Sequence, residues 1–201
     1  MQGLRNASFM NEPTLLALET LLVIGLYLVK VGRHQDAWTL FGTTIRTAYS
    51  LELHRNPDLV RPVPRPDECS VRRRLWWLML FTDNHLSVTL GKPLGISVIG
   101  DCPHPMPLTT DPVALRLGDI TRELVTTQRR ILESEALLSE DKISDATKTI
   151  VELWNTMPEV LRFHASWLDT EASLPEWPLD IISAGEYYPV NAGHSCNGSN
   201  R

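Results

Sequence analysis

Cysteine is scarce in this chain of 201 residues: Cys69, Cys102 and Cys196 are odd in number and far apart. That pattern argues against a disulfide framework and a Cys-x-x-Cys zinc site, and for a reducing compartment. The common signatures of chemistry are also missing. There is no G-x-G-x-x-G, no phosphate-binding loop and no H-E-x-x-H, so nucleotide binding and zinc hydrolysis lack their usual support. Gly193-His-Ser-Cys-Asn197 comes nearest to a nucleophile elbow, but it ends in Asn and leaves no room for a following acid and histidine. His104 lies beside Cys102 without the third ligand that a metal site requires. Asp83 and His85, two positions apart on a helix, point to different faces and do not form an acid–base pair.

Long apolar runs are equally rare. Leu15 to Val31 touches the lower limit for a membrane span, about 17 residues, but Glu19 interrupts it and Lys30 lies at its end. It reads as a buried core helix, with no membrane as partner. No basic segment followed by a cleavable apolar stretch opens the chain, so no signal peptide is expected. Strong charge of one sign is absent from the first half. Residues 1–100 carry 11 basic against 8 acidic side chains, and residues 101–201 carry 8 against 16. Neither half is built to hold nucleic acid by electrostatics alone.

What is present is helical punctuation. Residues 14–31 are helix formers ending at Gly32, a C-cap glycine. Ala37, Trp38, Phe41, Ile45, Ala48 and Leu51 then recur at three- and four-residue intervals, which predicts a second, amphipathic helix packed on the first. Pro57, Pro62, Pro64 and Pro66 mark a loop. A third helix opens near Asp67 and runs to about Leu90, where Gly91 and Pro93 stop it. Its middle, Leu75 to Phe81, is apolar on every side, which places it at the centre of the domain. A second Pro-rich loop covers 92–112, with a short extended piece expected at Ile96 to Ile99. Helices near 112–138 and 141–157 follow, then a short one near 159–168. The tail after Pro189 is small, polar and aperiodic, and is expected to be disordered.

Two features of the third helix invite a functional reading. Arg72, Arg73 and Arg74 fan over about 200° of a helix, so at most one or two could face a single ligand. Pairing of Glu68 with Arg72 and packing of arginine stems at a solvated helix start is the simpler expectation. Asp83, desolvated on a central helix, needs a partner, for which Arg46, His54 and Arg55 are candidates.

The order of motifs carries more than any one of them. Gly32-Arg33 with Ala37-Trp38, Ala48 with Leu51-Glu-Leu-His54-Arg55, Glu68 with Arg72-Arg-Arg-Leu-Trp-Trp77, then Asp83, Ser87 and Gly91-Lys-Pro93 follow one another. This series resembles the fungal-specific transcription factor domain, the middle homology region of zinc-cluster regulators, over roughly residues 14–110. Glu52 stands where that family usually has glycine, Lys92 replaces the commoner arginine, and the six-cysteine cluster is absent. The resemblance implies that Trp38, His54, Arg55, Glu68, Arg72, Arg73, Arg74, Trp76, Trp77, Asp83, Gly91 and Pro93 are scaffold positions rather than catalytic ones.

The expectation is an all-α, irregular multi-helix domain around a central buried helix at about 67–90, with long Pro-rich loops. Residues 1–13 form an N-terminal segment, 14–184 a partial regulatory domain and 185–201 a disordered tail. The expected role is regulatory and non-enzymatic, without catalytic, cofactor or metal residues, in the nucleus by resemblance and otherwise in the cytoplasm. Zinc belongs only to the absent cluster. Expected partners are proteins, an own-family dimer or a small-molecule effector, with DNA reached only indirectly through a zinc-cluster domain. The alternatives are a helical adaptor, since residues 14–51 faintly resemble one tetratricopeptide unit, and an enzyme without a recognisable motif.

Overall fold

The computed structural model describes residues 12–107, 110–132 and 140–162. It contains helices α1 (Leu15–Lys30), α2 (His34–Ser50), α3 (Pro66–Leu90), α4 (Pro112–Leu132) and α5 (Glu140–Thr156), with 3-10 turns at Pro57–Leu59 and Glu159–Leu161. The all-α expectation holds: among the described residues there is no strand, and the extended piece expected at Ile96 to Ile99 is irregular backbone. The expected N-terminal segment up to Asn11, the residues between 133 and 139, most of the short helix at 159–168, Gly193 to Asn197 and the tail lie outside the described residues.

Local chemistry sets the helix ends. Thr14 caps α1, its hydroxyl oxygen accepting the Ala17 N–H at 3.1 Å. At the other end Gly32, at φ +77, lets Arg33 N–H reach Leu28 O at 2.8 Å and Gly32 N–H reach Val29 O at 3.0 Å. This is a Schellman turn, which satisfies carbonyls that the helix leaves open. Helix α3 stops in the same manner, with Gly91 left-handed at φ 61 and Lys92 N–H on Ser87 O at 3.0 Å. Helix α2 ends in a third such turn, with Leu53 N–H on Ala48 O and Glu52 N–H on Tyr49 O. There the left-handed position is occupied by Glu52, at φ 56, rather than by glycine.

Helices α1 and α2 form a hairpin that packs on α3, and α4 packs on another side of α3. The core joins Leu18 and Leu22 of α1, Phe41 and Ile45 of α2, Leu75, Trp76, Met79 and Leu80 of α3, and Ile96 and Cys102 of the following loop. Complete burial of an aliphatic or aromatic side chain contributes about 1.5–3 kcal/mol, so this cluster dominates the stability. Helix α3 is not enclosed on every side, contrary to the sequence expectation. Phe81, His85 and Val88 lie on a solvent-facing line at helical spacing, and Trp77 is half-buried. The apolar run Leu75 to Phe81 thus has one residue at its edge, where the core ends. Helix α1 buries one face through Ala17, Leu18, Leu21, Leu22 and Gly25. No helix among the described residues is long and apolar enough to cross a membrane.

Candidate functional site

The block Glu68 to Pro93 and the loop that follows it form one polar assembly. Helix α3 reads the backbone of residues 92–107 with its side chains. Trp76, fully buried, donates its indole N–H to Ile99 O at 2.8 Å, and half-buried Trp77 donates to Pro103 O at 3.1 Å. Ser87 donates its hydroxyl to Pro93 O at 3.3 Å. Asp83, 2% exposed, accepts the N–H groups of Gly95 and Ile96, one on each carboxylate oxygen, both at 3.0 Å. A run of irregular backbone is thereby satisfied by a helix face rather than by a strand partner.

The loop can lie this close because two positions lack a side chain. A β-carbon on Gly95 would sit 2.6 Å from Ile45 Cδ1 and 3.0 Å from Asp83 Oδ1. One on Gly100, at φ +81, would sit 2.1 Å from the His54 carbonyl oxygen. That carbonyl also accepts the N–H groups of Asp101 and Cys102, at 3.0 and 3.2 Å. The His54 ring meets Tyr49 edge to face, with centroids 5.0 Å apart, and lies 6.1 Å from Trp76. The residues after α2, the middle of α3 and the loop thus meet at one point. Cys102 is buried there, and burial pushes its thiol up to about 12. Pro105 is buried, and the His104 ring lies tilted against Trp77 with centroids 4.7 Å apart. These loop residues are packed, where the sequence reading made Cys102 and His104 plain polar loop positions.

Asp83 does pair with a basic group from a neighbouring element, but none of the three candidates is that group. Arg46 is exposed and reaches Gly42 O, Arg55 pairs with Glu52 at 3.4 Å, and the His54 ring faces Tyr49 and Trp76 instead. The partner is Arg129 of α4, with Nη1 at 3.6 Å from Asp83 Oδ2 and both side chains 2% exposed. Arg129 also donates through Nη2 to Ile96 O, so one guanidinium bridges helix and loop. Burial pushes the Asp83 carboxyl above the usual range, opposed by the Ile96 and Gly95 N–H groups and by Arg129. Asn84 adds a second link to α4, donating to Val125 O at 3.2 Å and to Gln128 Oε1 at 2.8 Å. Sequence reasoning missed Arg129, Asn84 and Gly100 as members of this assembly. The one available signal was the buried carboxylate itself, which demanded a cation.

Arg72 and Arg73 are paired, and all three arginines are less solvated than expected. Arg72 is 12% exposed, binds Glu68 at 3.0 Å in the expected i, i+4 pair, and donates to Leu51 O at 2.8 Å. Arg73, 19% exposed, binds Asp58 at 2.8 Å, tying the first Pro-rich loop to α3. Arg74 is half-buried. Trp38 of α2 is half-buried at the core edge, with the Lys92 ammonium 5.7 Å from its ring. Gly91 and Pro93 supply the turn that sends the loop back along α3. Asp83 and His85 do face different ways, the one buried and the other exposed.

Cys69 and Cys102 are free, buried and hydrogen-bonded to the Pro64 and Pro103 carbonyls, and no group of three or more potential ligands occurs among the described residues.

Comparison with known proteins places this arrangement. Residues 4–110 match a family model described as the fungal specific transcription factor domain. The probable transcription factor FUP6 of Fusarium proliferatum is 35% identical over 91 residues, which are 44% of this chain and 13% of that protein. The aurofusarin cluster transcription factor aurR2 of Gibberella zeae is 26% identical over 202 residues, covering 90% of this chain and 29% of its own. The thiamine repressible genes regulatory protein thi1 of Schizosaccharomyces pombe is 26% identical over 172 residues, covering 84% and 20%. The chain therefore spans less than a third of the length of each of these relatives. No solved structure gives a significant match.

Proposed function

Because this chain belongs to the family of fungal-specific transcription factor domains, we propose that it acts in the nucleus as a regulatory, non-enzymatic domain that neither reads DNA bases nor catalyses a reaction. The observation that carries this reading is the internal engagement of the Glu68–Pro93 block. Arg72 and Arg73 are held by Glu68, Leu51 O and Asp58, the two indoles by loop carbonyls, and Asp83 by two amides and Arg129. A DNA-reading element needs arginines free to meet phosphates and base edges. A catalytic carboxylate must reach substrate, whereas Asp83 is sealed by its own loop. The motif positions of this block therefore act as scaffold, and regulation passes through protein contacts or a small effector at other surfaces.

The reading is tested by fusing the full chain to a heterologous DNA-binding domain at a reporter promoter. The expected result is a change in reporter output that Asp83→Asn reduces at equal protein level, with no duplex binding by the unfused chain in fluorescence anisotropy against random-sequence DNA. Sequence-specific duplex binding by the unfused chain at nanomolar concentration would overturn it.

A further inference from the structure

Helix α1 is apolar on two opposite sides. Its inward side sets Leu18 and Leu22 into the core, while Leu16, Val23, Tyr27 and, at the C-cap, Val31 are 73%, 49%, 63% and 48% exposed. Spacings of seven, four and four residues, with Thr20 between the first two, set them on one line along the helix. A contiguous apolar line is a contact surface, unlike a single exposed hydrophobe, and a helix apolar all round is one enclosed by protein.

The charges beside the line indicate what covers it. Of the 16 residues of α1 only Glu19 and Lys30 are charged. They stand eleven residues apart, about three turns, so both border the line on the same flank, the acid towards its start and the base at its end. Burial holds the Glu19 carboxyl above its ordinary range, and a cation brought beside it would favour the charged form. We propose that the occupant is a second copy of this chain, whose α1 lies antiparallel on the first about a two-fold axis. With the axis at the midpoint of the line, between Val23 and Ile24, Leu16 opposes the partner's Val31 and Thr20 opposes the partner's Tyr27. This two-fold brings each flank to the same flank of the other copy, with Glu19 opposite position 28. Glu19 then lies two residues, about 3 Å along the axis, from the partner's Lys30, and symmetry forms the reciprocal pair. A parallel arrangement would instead set like charges at one level. At the rims Glu12 reaches the partner's α1–α2 turn, where Arg33 and Asp36 already pair at 2.6 Å and His34 adds no negative charge. One helix line is a small interface, below the roughly 1,200 Å² at which specific complexes begin, so a dissociation constant of about 10–100 µM is expected. The inference stands apart from the regulatory reading, because it is measured on the purified chain without DNA or a reporter.

Sedimentation equilibrium of the full chain tests it. The expected result is a monomer–dimer equilibrium that Tyr27→Glu weakens at least about tenfold. Glu19→Lys and Lys30→Glu should each weaken self-association about tenfold, whereas an equal mixture of these two variants should associate like the unmodified chain, because both cross-pairs are then of opposite charge. An unchanged urea midpoint for each variant shows that the fold is kept. A chain that stays monomeric up to about 0.5 mM would overturn the proposal. So would a dimer that Tyr27→Glu leaves intact, or charge variants that associate no better mixed than alone.

Discussion

Glu52 and Gly100 illustrate opposite uses of the left-handed backbone region. Glu52 closes the turn after α2 at φ 56, where a β-carbon costs about 1–2 kcal/mol. Its ion pair with Arg55 is exposed, and pairs of that kind contribute little. Glu52→Gly is therefore expected to stabilise the fold by about 1 kcal/mol, read as a higher urea midpoint at unchanged slope. Gly100→Ala should act in the reverse sense and more strongly, because the new methyl carbon would meet the His54 carbonyl, which the backbone cannot easily move. A loss of at least about 2 kcal/mol is expected by the same measurement. His85 offers a pH test. Although the residue faces solvent, partial desolvation of its ring, and then the nearby His34, whose ring centroid is 6.3 Å away, hold its imidazole below the ordinary value of 6.5. The unfolded chain then binds the proton more readily, so this group's contribution is intact above pH 6.5 and is lost as pH falls through the folded value. In a proton NMR titration the His85 midpoint should lie below that of an unfolded peptide and rise in His34→Gln.

At the scale of elements, the loop 92–107 depends on α3 for its conformation. Asp83→Asn removes the charge that faces Arg129 and replaces one acceptor oxygen with a donor NH2 that cannot accept from Gly95 or Ile96. A buried group left unsatisfied costs about 1–3 kcal/mol. The amides of Gly95 and Ile96 should exchange at least about tenfold faster in this variant, while those of α1, remote in sequence, change little. The helices themselves were legible from the chain because Gly32 and Gly91 stop them and Pro-rich loops separate them, and α3 lies within one residue of its expected start. The strap was not. Its acceptors at Ile99, Pro103 and Pro93 are backbone carbonyls, which any residue possesses, so no side-chain pattern marks them. The Asp83–Arg129 pair was hidden for another reason: it joins elements separated by a long loop, and local candidates such as Arg55 were closer in sequence but not in space. The enclosure of α3 was overstated because Leu75 to Phe81 gives composition, whereas exposure of Phe81 depends on where α1, α2 and α4 stop.

Over the whole molecule the order of packing sets the order of stability. Helices α1 to α3 share the main core, α4 joins it through the bonds of Asn84 to Val125 and Gln128 and the pairing of Arg129 with Asp83, and α5 buries little beyond Leu153. Hydrogen exchange should follow that order, slowest in the middle of α3 and fastest in α5; comparable protection in α5 and α3 would contradict it for the described residues. The described part of this fungal transcription regulator domain is thus a three-helix centre with less deeply buried helices around it. The Pro-rich loop on α3 adds a constraint of stoichiometry. Pro93, Pro103, Pro105 and Pro107 bring carbonyl oxygens but no amide protons, so this backbone presents an excess of acceptors to a helix whose Trp76, Trp77 and Ser87 are donors. At buried Pro105 any other residue would introduce a hydrogen needing an acceptor of its own. Substitution there changes the donor count of the interior even when the side chain is small and apolar.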